Sequence, residues 1–189
     1  MKVYLLVEGN TDLALLRRLL PPEIQPETAI VTAGERSNIA SIARSLARSL
    51  RVTRGRPLAL VADADALGKD AVNERLQTLD ELVGSVAAGV PYKVILAVPE
   101  VESWFFDIPE FLERLSGKTL SPEQRELGEL RPKEVLRRLF NDRGPAFVGK
   151  LADELTDTEV KALRETQPRK DLIEFLTTQV MTSAQPQPT

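Results

Sequence analysis

The chain has 189 residues, with 25 Lys and Arg against 28 Asp and Glu, and it contains neither Cys nor His. That inventory excludes disulfides, thiolate zinc sites, a Cys nucleophile and an imidazole base, so chemistry here runs on carboxylates, amines, guanidinium groups and hydroxyls. A formal charge of −3 gives no overall attraction for polyanions, and a metal ligand set made only of oxygen points to Mg²⁺, Mn²⁺ or Ca²⁺.

The length suits one substantial core with a smaller appendage, and no apolar run approaches the roughly 20 residues that span a bilayer. Met1 and Lys2 lead straight into an apolar run without the pattern of a signal peptide, so a cytoplasmic protein with no membrane contact is expected.

In chain order, VYLLV (3 to 7) reads as a strand covered on both faces. From Thr11 the period changes: Leu13, Leu16, Leu19 and Leu20 share a helical face, and Pro21-Pro22 ends the helix. AIVTAG (29 to 34) is a second strand. An amphipathic helix follows, with Ser37 as N-cap and Ile39, Ile42, Ala43, Leu46 and Leu50 inward. LALVAD (58 to 63) is a third strand, 70 to 86 a helix, and KVILAV (93 to 98) a fourth strand.

Strands separated by single helices imply an α/β domain with a parallel sheet. Beyond Trp104 the pattern turns helical, near 109 to 116, 132 to 140, 146 to 155, 157 to 166 and 169 to 180. The expected organisation is an α/β domain over 1–105, a helical cap integrated with it over 106–181, and a disordered polar tail over 182–189.

Ligands of open parallel sheets bind at the carboxyl ends of the strands. Acids collect there: Glu8 and Asp12 after the first strand, Asp63 and Asp65 after the third, Glu100 and Glu102 after the fourth. In an extended segment the Asp-x-Asp spacing puts Asp63 and Asp65 on one face, and two such carboxylates need a proton or a cation between them. A divalent-cation site built from three segments is the economical account, although Asp12 also suits a cap for the first helix. Gly9 allows a sharp turn and close approach of a phosphate or cation, or serves only as a tight turn.

The ordered set VEGNTD after strand one and VADAD after strand three, within about 100 residues of alternating strand and helix, resembles a TOPRIM domain. This is the metal-binding module of type IA and II topoisomerases, bacterial primases and several nucleases. VPEVESWFF (98 to 106), RPKEVLRRL (131 to 139) and FVGKLADEL (147 to 155) look like the stand-alone branch near the OLD-family (overcoming-lysogenization-defect) nucleases.

The resemblance covers residues 1 to 105. It implies a TOPRIM-like, Rossmann-like four-stranded parallel sheet, with Glu8 as metal ligand or general acid/base. Asp12, Asp63, Asp65 and Glu102 become metal-holding acids, and a downstream catalytic Lys is implied, Lys150 first and Lys133 second. Leu67 stands where topoisomerases and primases have a third Asp.

With Mg²⁺ or Mn²⁺ as cofactor, six carboxylates suffice for two ions about 3.5–4 Å apart, the arrangement that cleaves phosphodiesters. The expected activity is therefore a metal-dependent nuclease acting on DNA or RNA, with anti-phage defence or toxin action as its setting. Tyr4 and Tyr92 read as structural, which leaves no topoisomerase nucleophile, and primase action needs domains not found here.

A basic ridge of Arg44, Arg48, Arg51, Arg54 and Arg56 could track a phosphate backbone or form a solvated face. Trp104, Phe105 and Phe106 read as packing the cap on the sheet. OLD relatives carry an ATPase, and GxxxxGK[ST] does not occur, so an ATPase would act in trans. The alternatives are a non-catalytic TOPRIM-like subunit binding nucleic acid or an ATPase partner, and an RNA-processing nuclease.

Overall fold

A computed structural model describes residues 2–34, 39–53, 55–141 and 145–184. Ser37, Arg54 and the end of the tail, 185–189, lie outside the described residues. Four strands, β1 (Val3–Val7), β2 (Thr28–Thr32), β3 (Leu58–Asp63) and β4 (Tyr92–Ala97), form one sheet in the order β2-β1-β3-β4. Every pair is parallel, with Val7 level with Thr32, Leu6 with Leu60 and Asp63 with Ala97. The fold is α/β with helices on both sheet faces, as the alternating pattern predicts.

Alternation along the strands assigns the two faces. Val3, Leu5, Val7, Ala59, Val61 and Ile95 face one layer, which contains Leu15, Leu16 and Leu19 of helix α1 (Asn10–Leu19). Leu6, Leu58, Leu60, Ala62, Val94 and Leu96 face the other, made by α2 (Ile39–Val52) and α3 (Lys69–Gly84). β2 and β3 lie on opposite sides of β1, so strand order reverses between β1 and β3. Their carboxyl ends flank the crevice where such sheets bind ligands.

The remaining helices are α4 (Pro109–Ser116), α5 (Pro122–Leu130), α6 (Pro132–Leu139), α7 (Pro145–Leu151), α8 (Asp157–Arg164) and α9 (Arg169–Ala184). α9 carries Leu172, Leu176 and Val180 onto β1, β3 and β4, into the same core that α1 enters. The final helix of the chain is thus part of the layer that covers the sheet. It runs through Ala184, beyond the end expected at 180, and Thr182 and Ser183 donate their hydroxyls to carbonyls four residues back. Residues 182–184, read from sequence as the start of a disordered tail, are therefore helical.

Two packing features hold the segment after β4. It forms a 3-10 helix, Val101–Asp107, with Trp104, Phe105 and Phe106 all buried. Arg169, at the start of α9 and only 1 % exposed, pairs with Asp107 at 2.5 Å and lies 5.0 Å over the Trp104 ring. Its Nε also donates to the Leu163 carbonyl at 2.6 Å. On the other side, the Phe106 ring rests on Gly128 of α5, where a Cβ would stand 2.1 Å from ring carbons.

Gly128→Ala tests that contact. Helix propensity alone would make Ala stabilising by about 1 kcal/mol, whereas overpacking against a buried ring costs about 1–3 kcal/mol. The expected result is a lower urea midpoint with an unchanged m-value. A raised midpoint would show that the ring does not rest there.

Candidate metal centre

Glu8 is the first residue beyond β1, and its Oε1 accepts the Asp63 backbone N–H at 3.1 Å, which ties the carboxyl ends of β1 and β3 together. Asp63 closes β3, and its Oδ1 accepts the Val101 N–H at 2.9 Å, fixing the start of the 3-10 helix. That contact swings Glu100 and Glu102 over the same edge. One carboxylate oxygen from each of Asp63, Glu100 and Glu102 lies within 4.8 Å of the others, a group able to hold a metal ion.

Lys133, from the first turn of α6, reaches into this group. Its Nζ lies 2.6 Å from Glu100, 3.5 Å from Glu102 and 3.8 Å from Asp63, and its backbone N–H donates to Glu100 Oε1 at 3.3 Å. Glu102 is 4 % exposed, and its buried Oε2 has no hydrogen-bond partner among the described residues. The ammonium therefore neutralises charge there without satisfying that oxygen.

Asp12 combines two readings that the sequence left apart. Its Oδ2 accepts the Gly9 N–H at 2.9 Å at the start of α1, and the same buried carboxylate acts by its charge on Asp63, Glu102 and Glu8. Asp65 departs from expectation. β3 ends at Asp63, and Asp65 follows with φ +52°, so strand alternation does not extend to it. Asp65 is exposed, donates its N–H to the Pro99 carbonyl at 3.0 Å, and its charge bears on Glu8.

Asp63, Glu100 and Glu102 thus form one group, and Glu8 stands beside it, tied to Asp63 by its hydrogen bond and under the charges of Asp65 and Asp12. Gly9 is a correction: its φ of −134° is open to any residue, and an added Cβ would meet nothing within 4 Å. No sharp glycine turn is needed, and the space beside Gly9 is open regardless of residue type.

Burial sets the electrostatics. It raises the Asp63 carboxyl to about 8, helped by the charges of Asp12 and Glu102 and opposed by Lys133. Burial likewise lifts Glu102 to about 7 against the pull of Lys133, and raises Asp12 and Glu8. For Lys133 burial acts downward, but its hydrogen bond to Glu100 and the charges of Glu102, Glu100 and Asp63 outweigh it and push its pKa up. The whole arrangement is short of positive charge, the condition under which a cation binds.

Comparison with family models, with curated proteins and with solved structures finds no match to this chain. Carboxylate oxygens without nitrogen or sulfur suit hard divalent ions, and the Glu102 oxygen without a hydrogen bond among the described residues is a ready ligand for one.

The two candidate lysines separate in space. Lys133 is the cation among the acids. Lys150, favoured by the resemblance, lies on α7 and lines a cavity with Lys118 and Phe140, and it makes no ion pair with these acids among the described residues.

The basic ridge also divides. Arg44, Arg48 and Arg51 are exposed on α2, the helix that crosses back from the carboxyl edge toward the start of β3. Arg56 donates to the Tyr4 hydroxyl at 3.1 Å at the amino ends of the strands, about 17 Å from Asp63 at 3.3 Å per residue. Arg56 and the end of the ridge at Arg51 therefore belong to the opposite edge of the sheet.

One site residue escaped sequence reasoning. Arg75 falls in the inward stripe of α3 with Val72, Leu79 and Val83, its Nε is buried without a hydrogen-bond partner among the described residues, and its charge lowers the Glu8 pKa. A cation in an otherwise apolar helical stripe was the available signal.

The raised carboxyls make a pH prediction. Asp63 keeps its proton up to about pH 8 in the fold, against 3.8 as its ordinary value. Stability from this group is full below its unfolded pKa and is lost as pH rises through about 8. Glu102 acts in the same sense up to about 7. In EDTA the melting temperature should fall between pH 6 and 9 by at least about 2–4 °C, the shift that roughly 1 kcal/mol produces in a chain of this size. Mn²⁺ should reverse the loss at pH 8. A flat profile would show that the carboxylates are not crowded.

Proposed function

We propose that the chain is a TOPRIM-like, OLD-type nuclease that hydrolyses phosphodiester bonds of DNA or RNA with Mg²⁺ or Mn²⁺. The observation that carries this reading is the Asp63–Glu100–Glu102 group beside the strand-order reversal, where the buried Glu102 Oε2 has no hydrogen-bond partner among the described residues. Glu8 feels the charges of Asp65 and Asp12, so a second ion in this reading would draw on carboxylates beside that group.

Bound divalent ions would supply a water of lowered pKa and neutralise charge on the phosphoryl oxygens. Asp63, Glu100 and Glu102 would hold one ion, and Glu8, Asp12 and Asp65 the other. Water adds to phosphorus, one P–O ester bond breaks, and the departing oxygen takes up a proton, giving a phosphomonoester and a hydroxyl. In this reading Glu8 either ligates the second ion or accepts the proton of the attacking water, for which burial raises its affinity.

Lys133 has two roles in this reading. Without metal it offsets the carboxylate charge. Once the acids are otherwise neutralised, its side chain, half exposed and anchored through its own backbone N–H, is free to meet a phosphate or protonate the leaving oxygen.

A second reading also draws on Lys133. An ammonium already seated among three carboxylates suits a non-catalytic subunit whose site needs no metal, binding nucleic acid or an ATPase partner.

Asp63→Asn separates the two. The amide keeps the acceptor for the Val101 N–H and removes one buried charge, so the metal-free protein should melt higher at pH 8. On single-stranded, double-stranded and structured DNA and RNA, wild type should cleave with Mg²⁺ or Mn²⁺ and Asp63→Asn should lose at least about 10²-fold, a typical loss for a group that stabilises transition-state charge. Lys133→Met should bind Mn²⁺ more tightly yet cleave more slowly. Absence of both cleavage and Mn²⁺ binding in wild type would leave the non-catalytic reading.

A further inference from the structure

We infer that the cavity between α4, α6 and α7 is a binding subsite for one unstacked nucleotide of a single-stranded nucleic acid. This rests on the nuclease reading for its setting, and on its own lining for its chemistry.

The cavity has a volume of about 360 Å³, within the range of small-ligand sites. Phe140 and Phe147 form its aromatic wall, with ring centroids 4.9 Å apart and planes tilted by 54°. Lys118 and Lys150 supply two ammonium groups. Lys118 spends one donor on the Leu139 carbonyl at 3.2 Å and keeps two, whereas Lys150 is exposed and has no hydrogen bond or ion pair among the described residues. The Asn141 amide and the Glu154 carboxylate complete the lining with a donor and acceptors. An aromatic platform, two cations for an anion and polar groups able to meet a base edge match a nucleotide: a flat, edge-polar ring carrying a phosphate.

The position on the fold makes that nucleotide part of a strand. Asn141 also lines a neighbouring cavity of about 330 Å³ with Arg137 and Arg138, so the two hollows adjoin. Arg137 stands one helical turn beyond Lys133 on the same side of α6. From Lys133 among the carboxylates to Leu139, which ends α6 and lines the aromatic cavity, is six residues, about 9 Å at 1.5 Å per residue. Lys133 and Arg137 therefore lead along α6 from the acids toward the aromatic cavity, while Arg138 pairs with Glu134 of the second hollow. A paired base stays inside its duplex and cannot enter such a pocket, so the substrate class is single-stranded or locally unpaired.

The experiment measures binding of a fluorescein-labelled twelve-nucleotide oligothymidylate, and of its oligouridylate counterpart, by full-length protein with Ca²⁺ replacing Mg²⁺. Lys150→Ala should weaken binding and lower the slope of log affinity against log salt by about 0.7, the loss of one phosphate contact on a single strand. Phe147→Leu should weaken binding by about fivefold or more with no change in that slope, the signature of lost stacking. Thymidine monophosphate alone should compete weakly and in a Lys150-dependent way, which separates a free nucleotide site from a strand track.

Mn²⁺ titrations of both variants should match wild type. Should Phe147→Leu fail to fold, Lys150→Ala alone decides the matter. Absent wild-type binding, a wild-type salt slope in Lys150→Ala, or equal competition by duplex would each overturn the proposal. Loss of Mn²⁺ binding or of cleavage with the oligonucleotide result intact would overturn the nuclease reading and leave the subsite standing.

Discussion

Like charges taken out of water must be neutralised, and at the carboxyl edge of this sheet three buried acids, Asp12, Asp63 and Glu102, meet one ammonium. Lys133 cannot serve them all. It stands closest to Glu100, leaves the Glu102 Oε2 without a hydrogen bond among the described residues, and Asp63 and Glu102 answer by holding their protons toward neutral pH. Burial of this kind is destabilising for the fold and is retained where the field it creates has a use. Asp63, Glu100 and Glu102 are a group able to hold a metal ion, and a divalent ion would bring more charge and more ligand positions than an ammonium.

That edge is assembled from afar. Glu102 is held in place because Asp63 anchors the Val101 N–H, because Phe106 seats on Gly128, and because Arg169 pairs with Asp107 and covers Trp104. Arg169 opens the helix that also lines the sheet, so the end of the chain, the sheet face and the acidic segment form one mechanical unit. The helices after residue 106 are in this sense the frame of the site. α6 brings Lys133 to the acids, and α7 brings Lys150 to the aromatic hollow.

Much of the sheet was legible. Apolar runs of strand length between amphipathic helices imply parallel pairing, and acids at three strand ends follow from position alone. α5 passed unread although it begins with Ser121 and Gln124, whose reciprocal bonds are a plain capping box. Asp65 was misjudged because alternation holds only while the chain stays extended, and the chain turns left-handed at Asp65 itself. Glu8, Asp12, Asp63, Glu100 and Glu102 lie at one edge, whereas Lys150 and Arg56 lie elsewhere. Spacing along a helix does not say which end of a sheet that helix reaches.

What the sequence determined by itself is periodic and local: which segments are strands or helices, which faces are apolar, and that only oxygen ligands exist for a metal in a chain without Cys or His. Only the tertiary structure decided which charges meet. Lys133 reaches Asp63 across 70 positions of chain, and Arg169 reaches Asp107 across 62, through the packing of helices whose apolar stripes match several partners equally well. Hydrophobic burial is non-directional, so a stripe specifies that a helix packs, while the shapes it meets in the folded core specify where its polar side chains arrive.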